Sequence, residues 1–304
     1  MADIRLGLLR PLVLTVIVVV STLVVGSRAV PAQVAIDCAD YAAPASSPSS
    51  DSSPAAGNVA SFPDVGGELT VFAAASLSGA FTEIAADIQA AHPDVSITFN
   101  FAGSQALVTQ LTEGAEADVF ASANNSQMKA AAEAGVVTGE PETFARNQLV
   151  IIVPADNPAG ITSLADLDND GVEFVTALSD VPIGQYTRQA VCAAGQNTSD
   201  FGETFVEGFA GNIVSEEENV TAIVTKISLG EGDAGIVYQT DVTPDVADSV
   251  TIIPIEPEYN VIASYPIALV EGGSAELGAA FVDYVLGPEG QATLAEFGFL
   301  PKPE

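Results

Sequence analysis

Positive charge is what this sequence has least of. The 304 residues include 8 lysines and arginines together against 40 aspartates and glutamates, which gives a formal net charge of -32. Nucleic acids and anionic lipid surfaces are held mainly by basic side chains that release counterions. The composition therefore excludes a nucleic-acid-binding function. Hydrophobic residues make up 48% of the chain, enough to bury the core of one large or two medium domains.

The residues that carry most enzyme chemistry are also scarce. The single histidine, His92, follows a predicted helix and precedes a proline, a position typical of a structural helix end. There is no GxSxG, GxxxxGK[ST] or GxGxxG motif, and no histidine or cysteine cluster at metal-ligand spacing. The carboxylates are scattered, as on a solvated surface. The sequence predicts a binding protein without a cofactor, and a secreted hydrolase is the alternative from a different class.

The N-terminal part is predicted to direct export. Arg5 and Arg10 precede a charge-free apolar run over 11–25, and small residues follow, so 1–35 is interpreted as an export signal, with an uncleaved anchor left open. Residues 36–67, rich in Ser, Pro and Ala, are predicted to be a disordered tether. Cys38 lies in this part, and both lipidation and pairing with Cys192 stay open. The location expected is periplasmic or extracytoplasmic, with a membrane tether through the N-terminus as one option.

From Glu68 onward, short apolar strands alternate with amphipathic helices, which favours an α/β fold with largely parallel sheets. The predicted strands are ELTVFA, VSITFNF, ADVFAS, QLVIIVP, VEFVTA, AGIVY, VTIIPI and YPIALV. The predicted helices are FTEIAADIQAA, SQALVTQLTEG, SQMKAAAEAG, YTRQAVCAAG, VTAIVTKISLG and AELGAAFVDYVLG. This number of units favours two α/β lobes with a hinge and an interlobe cleft. We place lobe I at 68–147 and 264–304, and lobe II at 148–263.

The segments that follow two of the predicted strands contain small polar residues and no charged residue. The strand ELTVFA leads through AASLS into a helix, with Ser76 or Ser78 at the position of an N-cap, and VSITFNF leads into a helix that begins near Gly103 and Ser104. A helix N-terminus offers unpaired N–H groups and the positive end of the helix dipole, which suits an anion. Serine also caps many helices that bind nothing. We interpret the pair as a seat for a small anion.

Several motifs, in this order, resemble the molybdate-binding proteins of ABC transporters. They are LTVFAAASL (69–77), FAGSQALVTQL (101–111), ADVFASA (117–123), VPIGQY (182–187), GIVY (235–238) and FVDYVLGPEGQATLAEFGFL (281–300). The resemblance implies a type II periplasmic-binding-protein-like fold that closes on a tetrahedral oxyanion. It implies hydroxyl or backbone donors at Ser76, Ser104, Ile183, Val220 and Tyr238, with no direct bond from protein to metal.

The function implied is capture of molybdate or tungstate by a monomer and delivery to an ABC permease in the membrane. Sulfate or another oxyanion is the alternative within the same class. Phosphate stays open because Asp180 and Glu218 lie close in sequence to the implied site and could accept its proton. The choice between molybdate and tungstate also stays open.

Overall fold

The computed structural model describes residues 34–41 and 66–303. Within these residues the strands are β1 (Gly67–Ala74), β2 (Val95–Ala102), β3 (Val119–Ala121), β4 (Val137–Asn147), β5 (Leu149–Pro154), β6 (Phe174–Ala177), β7 (Ile213–Glu217), β8 (Ala234–Tyr238), β9 (Val250–Pro254), β10 (Ala263–Val270) and β11 (Leu300–Pro301). The α-helices are α1 (Ser78–Ala91), α2 (Ser104–Thr112), α3 (Asn125–Glu133), α4 (Pro182–Gly195), α5 (Thr198–Phe201), α6 (Phe205–Gly211), α7 (Val220–Ser228), α8 (Ala275–Leu286) and α9 (Pro288–Glu296). Short 3-10 turns lie at Ala75–Leu77, Leu164–Asp168 and Gln239–Asp241.

The strands form two sheets, one in each lobe. The six-stranded sheet of lobe I has the order β11-β4-β10-β3-β1-β2, and its strands come from 67–147 and 263–301. The five-stranded sheet of lobe II has the order β7-β6-β8-β5-β9, with strands from 149–254. Helices follow most strands in both lobes. The predicted α/β fold with two lobes is confirmed.

The expectation of largely parallel sheets is wrong, because both sheets are mixed. β1 pairs in parallel with β2 and β3, and β6 pairs in parallel with β7 and β8. In contrast, β10 runs antiparallel to β3 and β4, and β5 runs antiparallel to β8 and β9. Parallel neighbours need a crossover connection, whereas β10 enters lobe I directly from lobe II and β5 enters lobe II directly from lobe I.

The central strands of lobe I are apolar on both faces. Val71 and Ala73 of β1 belong to the larger core together with Phe81 of α1, whereas Phe72 between them packs with Leu107 of α2 in a separate cluster. Successive strand side chains point to opposite faces. Helices therefore cover the sheet on both sides, which explains why β1 reads as a continuous apolar run.

Several elements were not predicted, and β4 is the clearest case. Its sequence VTGEPETFARN contains Gly139, Pro141 and three charged residues, and its first half is largely exposed. It forms because its backbone pairs with β10, across irregularities in register at two places. Such a strand carries no alternating pattern. Among the described residues, β7, β11, α5, α6 and α9 are likewise additions to the prediction.

Two chain crossings form the hinge between the lobes. The chain passes from lobe I to lobe II between β4, which ends at Asn147, and β5, which begins at Leu149. It passes back to lobe I in the segment between β9 and β10. Asn260 in the return segment binds Leu149 twice, accepting from its N–H at 3.0 Å and donating to its carbonyl at 2.8 Å. The two crossings are thus held side by side.

The N-terminal segment is linked covalently to lobe II. Cys38 lies in a turn and forms a disulfide with Cys192 of α4, across 154 positions of sequence. The first residues of the segment predicted to be a tether are therefore fixed on the protein. Most of the predicted export signal and residues 42–65 lie outside the described residues. No helix in the described ranges combines the length and apolar character needed to cross a membrane.

Candidate functional site

A small cavity lies between the lobes, at the ends of β1 and β2 and the beginnings of α4 and α7. It is lined by Ala74, Ala75, Ser76, Ala102, Gly103, Ser104, Ala123, Val181, Pro182, Ile183, Asn219, Val220 and Tyr238. All five residues implied by the motif resemblance are among these. The volume open to the centre of a water-sized sphere is about 20 Å³, and a single water needs roughly 10–15 Å³ on this measure.

Lobe I supplies two buried serines. Ser104 is the first residue of α2, and its Oγ accepts a hydrogen bond from the N–H of Ala123 at 3.0 Å. Its own hydroxyl hydrogen stays available for the cavity. Ser76 lies in the 3-10 turn, and its Oγ is 3.0 Å from the phenol oxygen of Tyr265. The predicted N-cap role of Ser76 or Ser78 is wrong, because α1 begins at Ser78 itself and no side chain caps it.

Lobe II supplies two helix N-termini. Ile183 is the second residue of α4, which begins at Pro182, and Val220 is the first residue of α7. The first four N–H groups of a helix have no partner within the helix, so both residues lie where a backbone donor is available. The Asn219 side chain caps α7 by accepting from the N–H of Ala222 at 3.0 Å. That bond leaves the earlier N–H groups of α7 for a ligand.

A buried arginine fixes the segment that carries Ile183. Arg188 is 3% exposed and donates from Nη1 to the carbonyls of Ala177 and Gly184, at 2.9 Å each. Its Nη2 pairs with Glu216 at 2.5 Å. The guanidinium thus connects the end of β6, the first turn of α4 and strand β7. Its charge is compensated within lobe II, and Arg188 does not line the cavity.

Tyr238 ends β8 at the cavity and is 1% exposed. Its phenol oxygen is buried and makes no hydrogen bond with any described residue. Burial, reinforced by the nearby Tyr265, raises the pKa of Tyr238 well above its ordinary value. The phenol therefore remains an O–H donor at neutral pH. A buried hydroxyl without a hydrogen-bond partner lowers the stability of the folded state. A ligand that accepts a hydrogen bond from Tyr238 would remove this cost.

Among the residues that the structure describes, no charged side chain lines the cavity. Asp180 and Glu218 contribute only their backbone carbonyls to the contacts nearby, each accepting from a glutamine of lobe I. Two larger grooves, with volumes of about 590 and 630 Å³, are lined in part by carboxylates and lack this set of donors. The cavity is therefore a site of neutral donors and helix dipoles, which favours a small anion.

Residues 69–300 match the family described as bacterial extracellular solute-binding protein. The chain belongs to this family. This solute-binding protein is 40% identical over 232 residues to the molybdate-binding protein ModA of Mycobacterium tuberculosis, which covers 76% of this chain and 84% of the relative.

Two solved structures share the fold of this solute-binding protein. They are the periplasmic molybdate-binding protein of Azotobacter vinelandii (TM-score 0.64, 16% identity, 78% and 100% of the two chains) and the sulfate-binding protein SubI of Mycobacterium tuberculosis (TM-score 0.67, 18% identity, 77% and 86%).

The lobes of the solute-binding protein are in direct contact beside the cavity. Three side chains of lobe I bind lobe II: Gln105 to the Glu218 carbonyl at 2.8 Å, Asn124 to Gln185 at 2.9 Å, and Gln127 to the Asp180 carbonyl at 2.7 Å. Gly103 is required at this contact, because a Cβ there would collide with the backbone of Glu218. Together these contacts join the two lobes beside the cavity, from the sides of α2 and α3.

The residues behind the cavity were not predicted from the sequence. Tyr265 and Asn147 are fully buried at the hinge, and Asn219 caps α7 beside Val220. Asn219 could have been found, since Asn followed by an amphipathic helix is a capping signal. Tyr265 was read only as part of the core strand YPIALV. Nothing local in sequence indicates its contact with Ser76, which is 189 positions away.

Proposed function

We propose that this protein captures molybdate or tungstate outside the cytoplasm and delivers it to an ABC permease in the membrane. The observation that carries the proposal is the interlobe cavity at which Ser76, Ser104, Ile183, Val220 and Tyr238 meet, with no charged side chain among the described residues that line it. The anion would be held through its oxygens, with no bond from protein to metal. Relatives named molybdate-binding at 40% identity over most of the chain support this ligand class.

Neutral donors suit a fully ionised oxyanion. Molybdate, tungstate and sulfate present acceptor oxygens only, near neutral pH, whereas phosphate keeps a proton that needs an acceptor. The carboxylates of Asp180 and Glu218, which could have accepted that proton, do not line the cavity. The arrangement therefore supports the fully ionised anions over phosphate.

The net charge of -32 does not oppose this function. Exposed charges farther away than about one Debye length, roughly 8 Å at physiological salt, are largely screened. Donors in contact with the anion act inside a water-excluded space, where electrostatic interactions are stronger. Local dipoles at the ends of α2, α4 and α7 therefore dominate at the site.

The proposal is tested by calorimetric titration of the purified protein with molybdate, tungstate, sulfate and phosphate in parallel. Molybdate and tungstate are expected to bind and to raise the melting temperature, since a ligand specific for the folded state stabilises it by mass action. If the protein binds sulfate and not molybdate, the proposed ligand is wrong, but the protein is still an oxyanion-binding protein. Absence of binding by all four anions, together with turnover of a hydrolase substrate, would overturn the proposal.

A further inference from the structure

A chain of buried polar groups runs from the hinge to the cavity. The phenol oxygen of Tyr265 in β10 is 3.0 Å from Oγ of Ser76, which lines the cavity. The amide nitrogen of Asn147, at the end of β4, is 3.5 Å from the same phenol oxygen. All three residues are at least nine-tenths buried, so water does not compete freely for these bonds.

The orientation of the Asn147 amide sets the direction of the chain. Its Oδ1 accepts from the N–H of Gln148 at 3.0 Å, and its Nδ2 donates to Oγ1 of Thr240 at 2.8 Å. The group that faces Tyr265 is therefore the amide nitrogen, which can only donate. Tyr265 accepts that contact, and Oγ of Ser76 lies within hydrogen-bond distance as an acceptor for its own hydrogen.

We propose that Tyr265 is a positioning residue that donates to Ser76 and so directs the Ser76 hydroxyl hydrogen into the cavity. Either oxygen could donate on distance alone, and the proposal assigns the donated hydrogen to Tyr265, because the Asn147 amide nitrogen already supplies a donor to the phenol oxygen. Rotation of a serine hydroxyl is otherwise free. Tyr265 orients the Ser76 hydroxyl as a donor before the ligand arrives. This lowers the entropic cost of ordering that hydroxyl on binding.

This inference rests on the proposed function, because the oriented donor is of use only to a ligand that accepts hydrogen bonds. The aromatic ring of Tyr265 has a separate role in packing. It makes edge contacts with Phe144, Tyr238 and Phe299, at centroid distances of 6.3, 5.6 and 5.4 Å. Tyr265→Phe keeps these contacts and removes only the hydroxyl.

The test is a double-mutant cycle on molybdate affinity, measured by calorimetry with Tyr265→Phe, Ser76→Ala and the double variant. Tyr265→Phe is expected to weaken binding by a few-fold, because the Ser76 hydroxyl keeps its hydrogen but is no longer oriented before the ligand arrives. In the Ser76→Ala background the same change is expected to have almost no further effect, because Tyr265 acts through Ser76. Thermal melts of the ligand-free variants report any purely structural loss.

Two outcomes would overturn the inference. Unchanged or tighter binding by Tyr265→Phe would show that the Ser76 hydrogen points towards Tyr265 in the parent. Full additivity of the two changes would show that Tyr265 affects binding by another route. Failure of the proposed function is seen separately, in the parent protein: if it binds sulfate alone the cycle is measured with sulfate, and if it binds no oxyanion both proposals fall.

A second variant covers the case in which Tyr265→Phe does not fold. Asn147→Ala removes the donor that orients Tyr265 and leaves both hydroxyls in place. Molybdate binding is expected to weaken by a few-fold, and this loss should again disappear in the Ser76→Ala background. A loss that persists there would contradict the chain of donors.

Discussion

Replacing Tyr238 by phenylalanine should separate binding from stability. The ring fills the space between Tyr186 and Tyr265, at centroid distances of 6.3 and 5.6 Å, and phenylalanine keeps that packing. The hydroxyl removed has no hydrogen bond with any described residue. Its deletion therefore removes no well-formed hydrogen bond of the ligand-free protein, only a weaker interaction with the Tyr265 phenol, and we expect the melting temperature without ligand to change little.

The effect on affinity should be large by comparison. A hydrogen bond to a charged acceptor contributes about 1.5–3 kcal/mol, and each 1.4 kcal/mol is about a ten-fold change in the dissociation constant. Tyr238 is 1% exposed, so water in the cavity does not replace the missing donor. Tyr238→Phe is expected to weaken molybdate binding by about ten- to a hundred-fold.

Tyr186→Phe is the matched control. This tyrosine is also buried, but its phenol oxygen accepts from the N–H of Ser264 at 3.2 Å, and it does not line the cavity. Loss of that acceptor leaves the partly buried N–H of Ser264 unpaired, at a cost of up to about 1–3 kcal/mol. Calorimetry and thermal melts of both variants should show opposite patterns: weaker binding for Tyr238→Phe and lower stability for Tyr186→Phe. Equal affinity of Tyr238→Phe and the parent would refute the donor role of Tyr238.

Three further changes test the helix donor, the disulfide and a buried carboxyl group. Ile183→Pro removes a backbone N–H and should weaken molybdate binding by about ten- to a hundred-fold, whereas Ile183→Val keeps the N–H and should bind as the parent does in calorimetry. Replacing Cys38 and Cys192 by serine should lower stability by about 2–5 kcal/mol in denaturant unfolding, and reductant should then have no further effect. Burial raises the pKa of Asp241 from 3.8 to about 7, so the folded state keeps a proton that the unfolded state releases and the parent loses stability as pH rises from about 4 to 7. Asp241→Asn should gain stability relative to the parent across that interval in thermal melts.

Each of these three has an outcome that contradicts it. For the helix donor it is a folded Ile183→Pro, verified by circular dichroism, that binds molybdate as tightly as the parent. For the disulfide it is a parent protein whose unfolding is the same with and without reductant. For Asp241 it is a stability difference from Asp241→Asn that stays constant with pH.

Features that depend on local sequence could be predicted. The positions of Gly103 and Ser104 at the start of α2 could be predicted, because the end of β2 and the beginning of α2 are adjacent in sequence. The role of Ser76 was misread as a cap, because its partner Tyr265 comes from a strand 189 positions away. Tyr238 was indicated by the motif resemblance, while its burial without a partner depends on the packing of both lobes.

Pairing between strands also escaped prediction from the sequence. β4 is held by its backbone pairing with β10 and β11 rather than by an apolar pattern, and the antiparallel pairs arise where the chain passes between lobes. The Cys38–Cys192 disulfide could not be chosen over two unpaired cysteines, because only the fold brings their Cα atoms to 5.4 Å. In each case the missing information was a long-range contact.

The most direct test of the central claim is a crystal structure of the molybdate complex with molybdenum located by its anomalous scattering. The account predicts one peak in the interlobe cavity, with oxygens of the anion about 2.7–3.2 Å from donors of Ser76, Ser104, Ile183, Val220 and Tyr238, and no protein atom bonded to the metal. Molybdenum in one of the open acidic grooves, or bonded to a carboxylate, would contradict it.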